Sequence, residues 1–255
     1  MYGLEKNVFE QILKLRDEYG ICGLKAEFEA EGSSFRDLMR LRRLTHRADV
    51  KLYLKIGGVE SVRDIKDSVE IGVDGLIAPM VESKFGVHKF QQAFQRVYGD
   101  HKLHLSINIE TKNAVDQIDE ILDFAKDKID NITIGRTDLS GSYFDENIYP
   151  DHDTITHIIE KLGEKINKKN LTVTVGGNIS VKSLEVFRKN KKLQEMVKRV
   201  ETRKVMFPLE VVLHQSKAIH EALKFEELYI LSKNEIHNKF MEAETARLTQ
   251  LQRRL

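Results

Sequence analysis

The sequence has little of several residue types that mark specialised classes of protein. Its 255 residues include one cysteine, three prolines and no tryptophan. Because Cys22 has no partner within the chain, neither an intramolecular disulfide nor a four-thiolate zinc site can form. The chain also lacks an apolar run near the ~18 residues of a membrane span, and its N-terminus lacks the apolar core of a signal peptide. We therefore expect a soluble, cytoplasmic protein that does not bind a membrane.

An excess of charge of one sign is missing as well. The sequence has 41 Lys and Arg residues against 40 Asp and Glu residues, for a formal net charge of +1. Nucleic-acid-binding domains usually carry a surplus of basic residues, so we expect no nucleic-acid partner.

Short β-prone segments alternate with longer amphipathic segments along most of the chain. Six clear ones lie at residues 21–28, 51–56, 75–80, 103–110, 131–135 and 171–176, and a weaker seventh at 200–207. Such alternation predicts βαβ units and a parallel sheet. No G-x-G-x-x-G motif follows the first strand, and the number and spacing of strands favour an α/β fold of the (β/α)8 TIM-barrel type. An eighth strand is not apparent, so the pattern predicts a barrel with an irregular or missing strand.

The residues after Pro208 carry no strand pattern and contain neither proline nor glycine. Their leucines recur among charged residues, which predicts two or more amphipathic helices. We expect a barrel domain at residues 1–207 and a helical C-terminal extension at residues 208–255. The extension packs either on its own barrel or on a neighbouring subunit, and the sequence leaves both possibilities open.

Two carboxylates lie where the fourth and fifth predicted strands end. Glu110 ends the fourth strand, and Asp138 follows the fifth by three residues. Reactive groups of TIM barrels lie at the carboxyl ends of the strands, and two carboxylates without a neighbouring His or Cys suit Mg²⁺ or Mn²⁺. The alternative is that each acid only caps the helix or turn that follows it.

Cationic and small residues accompany these acids. Residues 135–142 (GRTDLSGS) form a loop rich in small residues, and Arg136 and Lys55 place positive charge at the same rim. This combination suits a small carboxylate substrate, although ordinary turn chemistry would produce the same loop.

Three stretches resemble the HpcH/HpaI aldolase and citrate lyase β-subunit family of metal-dependent class II pyruvate aldolases. They are residues 72–83 (GVDGLIAPMVES), residues 109–111 (IET) and residues 134–142 (IGRTDLSGS). The order and spacing of the motifs agree over about 70 residues. The resemblance implies a phosphoenolpyruvate/pyruvate-type TIM barrel, with Glu110 and Asp138 as ligands of Mg²⁺ or Mn²⁺.

The resemblance also implies roles for other residues. Lys55 stands where family members typically carry an Arg that contacts the substrate, and Glu29 matches an acidic residue whose neighbouring His is replaced here by Ala30. Lys55, Glu29 and Arg136 are therefore the expected catalytic residues. The substrate-binding residues are expected to be Lys55, Gly135, Thr137, Asp138 and Leu139, partly through backbone amides.

We therefore expect a metal-dependent carbon–carbon lyase that cleaves or forms a 2-oxo acid through a pyruvate-like enolate. Three alternatives stay open: an acyl-CoA or citrate-lyase-like enzyme, a biosynthetic condensing enzyme, and a degenerate barrel that binds a ligand without turnover. Related barrels commonly assemble through their C-terminal helices, so we expect a homo-oligomer, either a trimer or a hexamer.

Overall fold

The computed structural model describes residues 1–28 and 30–255 and contains a closed barrel of eight strands. Each strand pairs with the next along the chain, and the last pairs with the first, which confirms the predicted barrel. The strands are β1 (Gly23–Glu27), β2 (Leu52–Lys55), β3 (Gly75–Ala78), β4 (His104–Ile109), β5 (Asn131–Gly135), β6 (Thr172–Gly176), β7 (Arg199–Glu201) and β8 (Val205–Pro208).

The barrel closes through an irregular hairpin. Strands β1 to β7 run parallel, whereas β8 runs antiparallel to both β7 and β1. The single seventh strand predicted at residues 200–207 is therefore wrong: the segment contains parts of two short strands. Thr202 closes the turn between them, because its backbone N–H donates to the Val205 carbonyl at 2.9 Å. The eighth strand is thus present and irregular.

The main hydrophobic core lies between the barrel and its surrounding helices. Strand β5 shows why, since Ile132 and Ile134 are fully buried in that core. Asn131 and Thr133 alternate with them and take part in hydrogen bonds among strands within the barrel. The outer face of the strands therefore supplies packing, and the inner face is largely polar.

Helices follow most strands, and several of them begin at a residue whose side chain caps the helix. Ser34 caps α2 by accepting from the Asp37 N–H, and the Asp37 side chain accepts in return from the Ser34 N–H. The first ten helices are α1 (Glu5–Tyr19), α2 (Phe35–Arg47), α3 (Val62–Ile71), α4 (Lys84–Tyr98), α5 (Lys112–Asp116), α6 (Ile118–Ala125), α7 (Arg136–Gly141), α8 (Asp153–Asn167), α9 (Val181–Lys189) and α10 (Lys191–Met196).

The C-terminal extension consists of two helices, α11 (Leu209–His214) and α12 (Lys217–Gln252). The first half of α12 packs along α1, where Gln11 Nε2 donates to Glu221 Oε2 at 2.8 Å. The second half of α12 is largely exposed. Among the described residues, no helix combines the length and the apolar character needed to span a membrane.

Candidate active site

A small polar cavity lies where the parallel strands end. Its volume is about 170 Å³. Residues from β1, β2, β4, β5, β6 and β7 and from the segments after them line it: Lys25, Glu27, Lys55, Asn108, Glu110, Thr133, Gly135, Thr137, Asp138, Gly176, Gly177, Asn178, Glu201, Thr202 and Arg203. The structure therefore brings Lys55, Glu110, Gly135, Thr137 and Asp138 together, as the sequence predicts.

Glu110 lies just beyond β4 and is held by two hydrogen bonds. Its Oε1 accepts from the Met80 backbone N–H at 2.8 Å, and its Oε2 accepts from Asn108 Nδ2 at 3.2 Å. Burial raises the pKa of Glu110 and the charge of Asp138 adds to this effect, while Lys55 and the two hydrogen bonds oppose it. The two acids are thus close enough to interact within the cavity.

The local backbone is shaped around Glu110. Met80 has a left-handed conformation, with φ of +52°, which is costly for a residue with a side chain. In this conformation its N–H points at the Glu110 carboxylate. Gly135, which has no Cβ atom, also lies beside the carboxylate.

Neither predicted metal ligand caps a helix. Thr111, not Glu110, is the N-cap of α5, because its hydroxyl accepts from the Ala114 N–H at 3.2 Å. Gly135 is the N-cap of α7, and Asp138 lies within that helix. The capping alternative therefore does not account for these two acids.

Lysines and carboxylates alternate around the inner wall. Lys55 Nζ lies 3.6 Å from Glu27 Oε2, and Lys25 Nζ lies 2.6 Å from Glu201 Oε1. Burial by itself lowers the pKa of Lys25, but the surrounding carboxylates, chiefly Glu201, more than offset it and leave the pKa raised. Both lysines are thus held by carboxylates at the cavity.

The structure places Arg136 outside the cavity. Its side chain is 2% exposed, and its Nη1 donates to Asp151 Oδ1 at 2.5 Å. The same guanidinium donates to the backbone carbonyls of Gly176 and Gly177. Arg136 therefore ties the segment after β6 to the start of α8, which does not support the predicted catalytic role.

Leu139 does not join the cavity lining. Leu139 is fully buried in the hydrophobic core, so its side chain packs rather than faces a ligand. Glu29 lies outside the described residues. Its predicted catalytic role stays a prediction.

The donor set fits a hard divalent cation. Of the side chains that the structure describes, three cationic and four anionic ones line the cavity, for a formal charge of −1, and none of them bonds to the buried Asn108 Oδ1. Oxygen donors with excess negative charge are what Mg²⁺ and Mn²⁺ prefer. Among residues 1–28 and 30–255, no group of three or more His, Cys, Asp or Glu side chains is arranged to hold a metal. The candidate ligands are thus the pair Glu110 and Asp138.

Lys25 and Glu201 are cavity residues that the sequence analysis missed. The period-two alternation of β1 does indicate that Lys25 faces the barrel interior, because Leu24 and Ala26 pack in the core and Lys25 and Glu27 face the opposite side. Glu201 lay inside the segment that was predicted as one strand, so its face could not be assigned.

The fold and the cavity together define an α/β barrel with a carboxylate-rich site at its carboxyl rim. The model of the HpcH/HpaI aldolase/citrate lyase family matches residues 36–202. The chain belongs to this family, which confirms the resemblance seen in the sequence and supports a function of the aldolase or citrate lyase kind. No curated protein sequence matches the chain significantly.

Solved structures confirm the fold. An HpcH/HpaI aldolase from Desulfitobacterium hafniense superimposes with a TM-score of 0.59 at 16% identity, covering 86% of this chain and 89% of that one. A variant of the citrate synthase SbnG gives 0.57 at 15% identity, covering 86% and 90%. An aldolase/citrate lyase family protein from Burkholderia cenocepacia gives 0.59 at 14% identity, covering 85% and 89%.

Proposed function

We propose that the protein is a divalent-metal-dependent carbon–carbon lyase of the aldolase type that acts on a small 2-oxo acid through a pyruvate-like enolate. The observation that carries the proposal is the convergence of Glu110, Asp138 and Lys55 on one small cavity at the carboxyl rim of the barrel. Family membership supports the reaction class.

Glu110 and Asp138 would hold Mg²⁺ or Mn²⁺. When bound, the cation would supply Lewis acidity toward the carbonyl of the 2-oxo acid. Asn108 supports this arrangement because its amide group donates to Glu110 Oε2 and fixes the orientation of the carboxylate.

Lys55 provides the positive charge for the developing enolate. Its Nζ is held 3.6 Å from Glu27 Oε2, so the ammonium group is positioned before the substrate binds. Compared with the Arg of typical family members, Lys keeps the charge but cannot donate two parallel hydrogen bonds. Thr137, which lines the same cavity, supplies an uncharged donor for the substrate carboxylate.

The size of the cavity favours a small substrate. Its volume of about 170 Å³ is below the ~300 Å³ at which pockets for drug-sized ligands begin. A pyruvate-sized molecule matches this space, whereas coenzyme A would have to lie almost wholly outside it. The proposal therefore prefers a free 2-oxo acid over an acyl-CoA substrate.

We also propose that the enzyme is a cytoplasmic homo-oligomer assembled through α12. Phe240, Met241, Leu248 and Leu251 are exposed in its second half. At about 100° per residue they fall within ~100° of the helix circumference, which makes one continuous apolar stripe. A second copy of the chain is the occupant that we propose for this stripe.

The experiment that tests the proposed function measures Mn²⁺ binding and Mn²⁺-dependent cleavage of 4-hydroxy-2-oxo acids. Glu110→Gln and Asp138→Asn should each abolish cleavage and weaken Mn²⁺ binding, while Glu120→Gln, an exposed acid on α6, should change neither. Full activity of either site variant in the presence of a chelator would refute the proposal. Tight Mn²⁺ binding by the unaltered protein without any turnover would favour the degenerate barrel.

A further inference from the structure

Glu201 combines deep burial with an unused acceptor. It ends β7, its side chain faces the cavity, and the residue is 3% exposed. Its Oε1 lies 2.6 Å from Lys25 Nζ, whereas its Oε2 is buried and has no hydrogen-bond partner among the described residues.

A buried carboxylate that is bonded through only one of its oxygens lowers the stability of the folded protein. Buried polar atoms in folded proteins nearly always have partners, because water that is removed must be replaced by another hydrogen bond. Residues 1–28 and 30–255 supply no partner for Oε2, although the cavity has room for a small molecule. The arrangement therefore points to a ligand group that Oε2 contacts when the cavity is filled.

The neighbouring strand leaves space for this side chain. A Cβ atom on residue 176 would lie 2.9 Å from Glu201 Cγ and 3.0 Å from its Oε1. Only glycine at this position allows the carboxylate to occupy its place without displacement. Gly176 in β6 thus leaves space for Glu201, as Gly135 in β5 leaves space for Glu110.

We propose that Glu201 is the proton-transfer residue of the lyase, an inference that rests on the proposed function. During cleavage of a 4-hydroxy-2-oxo acid, the Glu201 carboxylate removes the proton of the C4 hydroxyl. The C3–C4 bond then breaks, C4 becomes the aldehyde, and the electron pair of the bond forms the enolate of the 2-oxo acid. Glu201 returns the same proton to C3, so protons and electrons balance without another reactant.

Lys25 is the positioning residue for this step. The carboxylates around it keep its ammonium group charged, so that it fixes the Glu201 carboxylate from the side opposite to the free oxygen. Lys25 on β1 and Glu201 on β7 would together replace the family His, which is expected in the segment after β1 and is absent here.

The test uses the whole chain with Mn²⁺ and compares a substitution of Glu201 with a substitution of the neighbouring Gly176. Glu201→Gln removes the base, and Gly176→Ala displaces it while its charge is kept. We expect each to lower the rate of deuterium exchange into the methyl group of pyruvate by about 100-fold or more, with Mn²⁺ affinity unchanged. The exposed Glu210→Gln, on α11, and Gly141→Ala, whose Cβ would meet nothing within 4 Å, are the matched controls and should behave as wild type.

Three results would overturn the inference. Unchanged exchange in Glu201→Gln would show that another group moves the proton, and Glu29→Gln would then be compared. A parallel loss of Mn²⁺ affinity would make Glu201 a metal ligand or a structural residue. Absence of exchange in the unaltered protein would refute the proposed function as well, so the two failures are distinguishable. If Glu201→Gln does not fold, the exchange rates of Glu201→Asp and Gly176→Ala test the inference instead.

Discussion

Gly135 and Glu110 approach each other so closely that residue 135 cannot carry a side chain in the present arrangement. A Cβ atom on residue 135 would lie 2.7 Å from Glu110 Oε2 and 2.9 Å from Glu110 Cβ. The end of β5 therefore fixes where the carboxylate at the end of β4 can lie. This contact explains why a glycine stands at the N-cap of α7, the helix that carries Asp138.

Gly135→Ala should consequently displace Glu110 and weaken Mn²⁺ binding by about 10- to 100-fold, as supporting residues of metal sites do. The added methyl group should destabilise the fold by only ~1–3 kcal/mol, as overpacking does. Gly141→Ala is the matched control, because its Cβ would meet nothing within 4 Å. Titration with Mn²⁺ checks the prediction. Equal affinities of the two variants would show that the position of Glu110 does not matter for the cation.

Lys55→Met should separate catalysis from metal binding. Lys55 opposes the raised pKa of Glu110, so removal of its charge makes the cavity more negative and should leave Mn²⁺ affinity equal or higher. Loss of enolate stabilisation should lower kcat by about 10²–10³-fold. Steady-state kinetics and Mn²⁺ titration on the same preparation measure both effects. A variant with weakened Mn²⁺ binding and normal kcat would contradict the assigned role.

Arg136→Met should affect stability rather than chemistry. The substitution leaves Asp151 without its ion-pair partner, with only the Ser183 hydroxyl still donating to it among the described residues, and frees the carbonyls of Gly176 and Gly177. Removal of one partner of a buried ion pair typically costs ~3–5 kcal/mol. The half-exposed Arg188, which donates to the Leu213 carbonyl at 2.8 Å, is the control, and its Met variant should lose only ~1 kcal/mol.

Urea denaturation measures both free energies of unfolding. If Arg136→Met kept its stability but lost activity, Arg136 would be a catalytic residue, as the sequence first predicts.

Charges placed in the apolar stripe of α12 should disrupt assembly. In Leu248→Glu/Leu251→Glu two exposed leucines of the stripe become charged, whereas Ala246→Glu/Thr249→Glu places the same charges on the other side of the helix. We expect the first variant to be monomeric and the second to keep the oligomeric state of the wild type. Size-exclusion chromatography with light scattering measures the mass. Identical masses for both variants and wild type would show that another surface joins the subunits.

The sequence predicts most of the barrel because packing and propensity agree along it. Strand β5 is found with its predicted bounds, residues 131–135. The hairpin of β7 and β8 could not be seen in the sequence. Its turn at Thr202 contains neither glycine nor proline, so the two strands look like one β-prone run.

The sequence predicts which residues of the candidate site follow the ends of strands. It does not predict the direction in which their side chains point. Glu110 and Asp138 lie at the rim, and both face the cavity as expected. Arg136 also follows a strand, but it is the first residue of α7, and its side chain is held by Asp151 and by the carbonyls of Gly176 and Gly177. Whether Lys25 and Glu201 come together depends on which strands close the barrel. The sequence alone does not show the antiparallel β8 that lies between β1 and β7.

The most direct test of the central claim is the exchange of the methyl protons of pyruvate in D₂O, followed by NMR. We expect exchange that requires the protein together with Mn²⁺ or Mg²⁺, stops when a chelator is added, and is absent in Glu110→Gln and in Asp138→Asn. Glu120→Gln should exchange at the rate of wild type. Exchange that persists in either site variant, or in the presence of chelator, would contradict a metal-dependent enolate held by these two carboxylates.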